Sequence, residues 1–238
     1  MSAVMRSEES ARSRYLPAGL GLDSESARWK MAEALERRGI RDASVLDAMA
    51  TIARHLFVDP ALASRAYQDE ALPIGLEQTI SKPSIVSRMI ELAAQPIPFN
   101  ERRHARVLEI GSGCGYQAAV LGHVFGSVVS IERLQPLHDL ARRNLRRIGN
   151  RNVRLVYGDG HLGLANSPPF HAIVIAAALD GEIPEVLLHQ IRIGGRLVAP
   201  VSQAGCQRLH LVERLSFTDW HLSELDAVRF VPMVGGTR

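Results

Sequence analysis

Residues 107–122 read VLEIGSGCGYQAAVLG, an apolar run, three alternating glycines and a second apolar run. The first run has the pattern of a buried strand and the second that of a helix, so the glycines mark a strand-to-helix turn. Gly111, Gly113 and Gly115 remove Cβ atoms there, which lets the backbone bend tightly and approach a ligand closely. Glu109 stands two residues before the first glycine.

Downstream, RVLEI, SVVSIE, NVRLVYGD, HAIVIAA and GRLVAPV read as short apolar strands, with helical patterns at 116–125, 135–148 and 183–191. Near-continuous Val/Ile/Leu runs separated by helices predict a mostly parallel sheet covered on both faces. Right-handed crossovers make that a doubly wound, Rossmann-like α/β fold. After Pro200 the runs CQRLHLVERL and LDAVRFVPM alternate, as antiparallel C-terminal strands do. Upstream, 24–38 and 42–54 read as amphipathic helices, and a third opens at Pro83 and runs to about residue 94. The expected organisation is a mobile tail over 1–23, a helical extension over 24–103 that contributes to a substrate cleft, and an α/β domain over 104–238.

The 238 residues, 46% hydrophobic, suffice for one sizeable core. Net charge is only +3, and the arginines at 142, 143, 146, 147, 151 and 154 fall largely on one helical pattern, so they read as a solvated face. No nucleic-acid groove is expected. Cys114 and Cys206 lie far apart with no ligand-spaced histidine, which argues against a disulfide framework and against a metal site. With no secretory signal and no membrane-length apolar run, the expected location is the cytoplasm. Oligomeric state is not readable.

The chemistry of the turn narrows its ligand. Pyrophosphate loops have the spacing GxGxxG, whereas this one is GxGxG, and Glu109 would repel a phosphate but attract an ammonium or sulfonium. S-adenosyl-L-methionine is the nucleoside that carries both cations. Glu132, ending the second strand, offers two oxygens to a ribose diol, and Asp159 in YGDG is placed to accept from the adenine amino group. Gly160 lets the backbone pass close to the ring. These features together describe a class I adenosylmethionine-dependent methyltransferase fold. Cys114 reads as a small neutral loop residue, with no histidine or lysine beside it.

AYQDEALPIGLEQTISKP, VLEIGSGCGYQAAVLG, SIER, GDG, GGRLVAPV and VRFVPM together resemble the protein-L-isoaspartate (D-aspartate) O-methyltransferase family, from about residue 31 to 234. The resemblance implies methyl transfer from S-adenosyl-L-methionine, leaving S-adenosyl-L-homocysteine, to the α-carboxylate of isoaspartyl residues in damaged proteins and peptides. It implies Ser81 as the active-site residue near the transferred methyl, and Gly111, Gly113, Glu132, Asp159 and Gly160 as cofactor contacts. Read from position alone, Ser81 is equally an N-cap for the helix that follows.

One segment departs from the family pattern. Where the family has an aspartate and a strand ending Thr-Ala-Ala-Ala-Pro, this chain has PFHAIVIAAALDGEIP, with His171, Ala176, Leu179 and Asp180 at the changed positions. The fourth strand end is expected to border the acceptor, so the lost hydroxyl at Ala176 and the changed charge at His171 bear on which acceptor is used. A methyltransferase of the same fold with another acceptor, and a noncatalytic adenosylmethionine-binding protein, are the alternative readings.

Overall fold

A computed structural model describes residues 25–238; the tail expected over 1–23 lies outside the described residues. The glycine turn follows the strand at the centre of the sheet. Strand β3 (Arg106–Ile110) pairs in parallel with β4 (Ser127–Glu132) on one side and β6 (Phe170–Ile175) on the other. β5 (Val153–Tyr157) extends the first side beyond β4. On the other side come β8 (Ile191–Gln203), then β9 (Cys206–Arg214) and β10 (Trp220–Ala227), the last two antiparallel. The short β7 (Leu179–Asp180) pairs with β8, completing an eight-stranded sheet. This is the doubly wound, mostly parallel Rossmann-like sheet expected.

Alternation along the central strands divides the core in two. Val107 and Val128 face one apolar cluster, whereas Leu108, Ile110, Val129 and Ile131 face the other. The first cluster is covered by α4 (Tyr116–Val124) and by the N-terminal helices α1 (Glu25–Arg37), α2 (Ala43–Thr51) and α3 (Pro83–Ala94). Met31, Leu35, Met49 and Met89 share that cluster with Val107 and Val120, so the helical extension packs onto the sheet in a common core. Helix α5 (Gln135–Arg147) buries Leu137, Ala141 and Leu145, one residue per turn, and leaves its arginines outside. The last helix, α6 (Glu185–His189), buries Leu187 in the second cluster.

The helix expected over 42–54 ends earlier. Asp42 caps α2 by accepting from the N–H groups of Ser44 and Val45, and the chain turns into a 3₁₀ segment at Arg54–Phe57. The alternating run LDAVRFVPM is strand only as far as Ala227; residues 228–234 are irregular and are joined to the sheet by a bridge between Ala178 and Pro232. An antiparallel hairpin, β1 (Leu72–Gly75) and β2 (Gln78–Ile80), precedes α3. Leu76 and Glu77 at its tip both have positive φ, 52° and 59°, a type I′ geometry that usually takes Asn-Gly.

Candidate functional site

At the carboxyl ends of β3, β4 and β6 lies a cavity of about 820 Å³. Its floor is the glycine turn with Ile110 and Ile131; the β1–β2 hairpin and Ser81 form one wall, and Val231–Val234 with Arg238 close another side. Such a crevice beyond the strand ends is where doubly wound sheets bind ligands.

The loop is shaped by positive φ at Gly111 (93°), Gly113 (53°) and Gly115 (87°). A Cβ on Gly113 would stand 3.1 Å from Ile74 Cδ1, so the hairpin rests directly on the loop. Gly115 plays a different part: a Cβ there would meet the α5 backbone at Ala141, 3.2 Å away, and the residue lies outside the cavity wall. Gly160 lines the cavity, where a Cβ would collide with Ile110 Cγ2 at 2.2 Å.

Glu132 faces the cavity and is 5% exposed. Its Oε2 accepts from Gly113 N at 2.8 Å and its Oε1 from Leu134 N at 3.0 Å. A carboxylate has about four acceptor sites, so two remain for a diol after these backbone bonds.

The structure corrects the expectation for Glu109. Alternation turns its side chain beneath α4, where it is fully buried and not part of the cavity wall. Burial pushes its carboxyl up to about 8; the bond from Ser130 and the neighbouring Gln117 amide oppose the rise and the nearby Glu132 charge adds to it. At neutral pH it carries a proton, so it offers no negative charge to attract an ammonium. It belongs instead to a buried polar chain: Ser112 Oγ lies 2.5 Å from Ser130 Oγ, and Ser130 Oγ donates to Glu109 Oε2.

Asp159 also lies off the cavity wall. Its Oδ2 accepts from Gly236 N at 2.6 Å and its Oδ1 from His161 N at 2.9 Å. Burial opposes ionisation, but those bonds outweigh it and hold the carboxyl below its usual range. The C-terminal segment that Asp159 grips crosses the strand ends in turn. Met233 N donates to Ala178 O, Arg133 Nε to Gly236 O, and Arg238 N to Arg133 O.

Ser81 lines the cavity between β2 and α3 and has no hydrogen-bond partner among the described residues. It is not the cap of α3. Lys82 holds the N-cap position, and the first-turn N–H of Ser84 is taken by Asp69 Oδ1 at 2.8 Å. His171 sits near the start of β6, at the opposite end of the sheet, where its Nδ1 accepts from Arg106 N at 3.1 Å. The expectation that it borders the acceptor is therefore wrong, whereas Ala176 does line the cavity. Cys114 is buried and its thiol pushed up to about 11, mainly by burial, which leaves it a neutral wall residue.

Sequence reasoning missed the hairpin wall, the C-terminal segment and Gln117. The last of these lines the cavity from the first turn of α4, directly after the glycines. Among the described residues no group of His, Cys, Asp or Glu is arranged to hold a metal, and no helix is long and apolar enough to cross a membrane.

Comparison with known proteins agrees with this geometry. A Burkholderia cenocepacia protein-L-isoaspartate O-methyltransferase is 58% identical over 224 residues, covering 92% of this chain and 70% of that protein. The Burkholderia thailandensis enzyme of the same name is 54% identical over 238 residues, covering 99% and 71%. A solved protein-L-isoaspartate O-methyltransferase superposes with a TM-score of 0.76 at 30% identity, covering 87% of this chain and 66% of that one. The family model for protein-L-isoaspartate(D-aspartate) O-methyltransferase matches residues 26–238, and the chain belongs to that family.

Proposed function

We propose that this protein moves a methyl group from S-adenosyl-L-methionine to the α-carboxylate of L-isoaspartyl residues in proteins and peptides. The observation that carries the reading is one cavity walled on one side by the glycine turn and Glu132 and on the other by Ser81. Its volume suits a nucleoside cofactor together with an acceptor side chain. The residues fit the cofactor: Glu132 keeps free lone pairs, and Gly160, packed too closely on Ile110 to carry a Cβ, presents bare main chain to the cavity.

When bound, S-adenosyl-L-methionine supplies an electrophilic methyl group on a positively charged sulfur. An acceptor carboxylate with a pKa near 4 is already ionised at neutral pH, so the protein needs no general base. The described cavity wall contains no histidine, and its carboxylates are Glu77 and Glu132. The chain's task is alignment and exclusion of water. Ser81 Oγ donates to the acceptor carboxylate and fixes its direction. Glu132 accepts from the ribose hydroxyls while holding Gly113 in place. Asp159 acts through Gly236, keeping the C-terminal segment across the strand ends. Residues 74–81 of the helical extension supply the acceptor side of the cleft. A cytoplasmic location belongs to the same proposal, since Cys114 and Cys206 are both free thiols.

The test is methyl transfer from labelled S-adenosyl-L-methionine to an isoaspartyl peptide beside its aspartyl twin. Label in the isoaspartyl peptide alone supports the reading. Label in neither, with the cofactor bound, leaves a noncatalytic binding protein.

A further inference from the structure

Gln117 is 7% exposed and lines the cavity, yet neither Oε1 nor Nε2 of its side chain has a hydrogen-bond partner among the described residues. A buried amide without partners is destabilising, so its presence asks for a ligand. It sits in the first turn of α4, a nine-residue helix whose N-cap, Gly115, has no side chain to occupy the end. The unsatisfied N–H groups and the helix dipole favour an anion there.

The proton inventory behind Gln117 gives its orientation. Glu109 Oε2 already accepts from Ser130 Oγ, while Oε1 has no partner. Because burial keeps Glu109 protonated at neutral pH, Oε1 carries the hydrogen and is a donor. Gln117 is the other polar side chain beside Glu109, and its carbonyl oxygen is the atom that pairs with a protonated carboxyl. That pairing leaves the two Nε2 hydrogens unspent on the cavity side.

We propose that Gln117, oriented by Glu109, is a cofactor-binding residue whose Nε2 donates to the carboxylate at the amino-acid end of S-adenosyl-L-methionine. The assignment rests on the methyltransferase reading. An acceptor carboxylate has the same chemistry, but Gln117 belongs to the glycine-turn side of the cavity, whereas Ser81 and the hairpin form the acceptor side.

Two ligands separate these sources. S-adenosyl-L-homocysteine keeps the amino-acid end, and 5′-methylthioadenosine lacks it. Calorimetry on Gln117→Leu is expected to show at least a tenfold loss of adenosylhomocysteine affinity, the scale of a hydrogen bond to a charged group, with methylthioadenosine affinity unchanged within about twofold. Gln117→Asn, which keeps the amide but shortens its reach, should lose less and provides the comparison if the leucine variant does not fold. The peptide KM should stay near that of the wild type. Equal losses for both ligands would reduce Gln117 to a loop support and overturn the assignment. So would unchanged adenosylhomocysteine binding, or a raised peptide KM with cofactor affinity intact. A wild-type protein that binds neither nucleoside would remove the methyltransferase reading itself, an outcome distinct from these.

Discussion

The Gly113 N–H donates to Glu132 Oε2 at 2.8 Å, so the middle glycine of the turn is held by the carboxylate that ends the neighbouring strand. Glu132 therefore does two things at once. It shapes the loop and it faces the cavity, with Leu134 N fixing its other oxygen. We predict that Glu132→Ala weakens S-adenosyl-L-homocysteine and 5′-methylthioadenosine alike, by about 1.5–3 kcal/mol, because both carry the ribose. Glu132→Gln, which keeps one acceptor oxygen, should fall between. Calorimetry that finds unchanged affinity in folded Glu132→Ala would take the ribose contact away from this residue.

Much of this arrangement is readable before any coordinates. The apolar strands before the glycine turn and before Glu132 are fully buried runs in a parallel sheet, and such runs announce themselves by composition. The hairpin does not, because its tip uses Leu76 and Glu77 in a geometry that the sequence signal Asn-Gly would normally mark. Glu109 shows a second limit. Its position before the turn is obvious, but its charge depends on which face of β3 it occupies and on what covers it, and both are tertiary facts. Asp159 is a third case: its partner, Gly236, is 77 residues away, and no local pattern brings them together.

Asp69 tests the origin of the cap on α3. It accepts from Ser84 N at 2.8 Å and pairs with Arg38. Asp69→Ala should cost about 1 kcal/mol of stability, the usual value of a lost cap. Burial opposes ionisation of Asp69, but the Ser84 bonds and Arg38 outweigh it and lower its pKa. Its contribution is thus present above the unfolded value and is lost as pH falls below it. Chemical denaturation at pH 7 and pH 3 should show the wild-type advantage shrinking at the lower pH; an equal gap at both would remove the charge from the explanation.

Glu109 should leave the opposite signature. Its folded pKa, about 8, lies above the ordinary carboxyl value of 4.5, so the folded chain holds a proton that the unfolded chain releases between those values. The associated stability is fully present below about 4.5 and is lost as pH rises through 8. Glu109→Gln keeps a neutral polar group and removes the titration. We expect its melting temperature to gain on that of the wild type as pH goes from 5 to 9. A constant difference across that window would show that Glu109 does not titrate there in the fold.

Ser81 is where stability and chemistry separate most cleanly. Because Lys82 holds the N-cap position and Asp69 supplies the capping oxygen, Ser81→Ala removes no helix cap and should melt within about 0.5 kcal/mol of the wild type, as a substitution away from structural features does. The hydroxyl lies on the cavity wall without a partner among the described residues, so its loss should appear in methyl transfer. We predict that single-turnover transfer to an isoaspartyl peptide falls by about tenfold or more, the scale of a hydrogen bond to a charged group, while adenosylhomocysteine affinity is kept. Ser81→Thr restores a hydroxyl and should recover part of the rate if the added methyl is accommodated. Wild-type transfer in folded Ser81→Ala would show that the acceptor carboxylate is aligned without this side chain, by the backbone of the hairpin and the shape of the cleft alone.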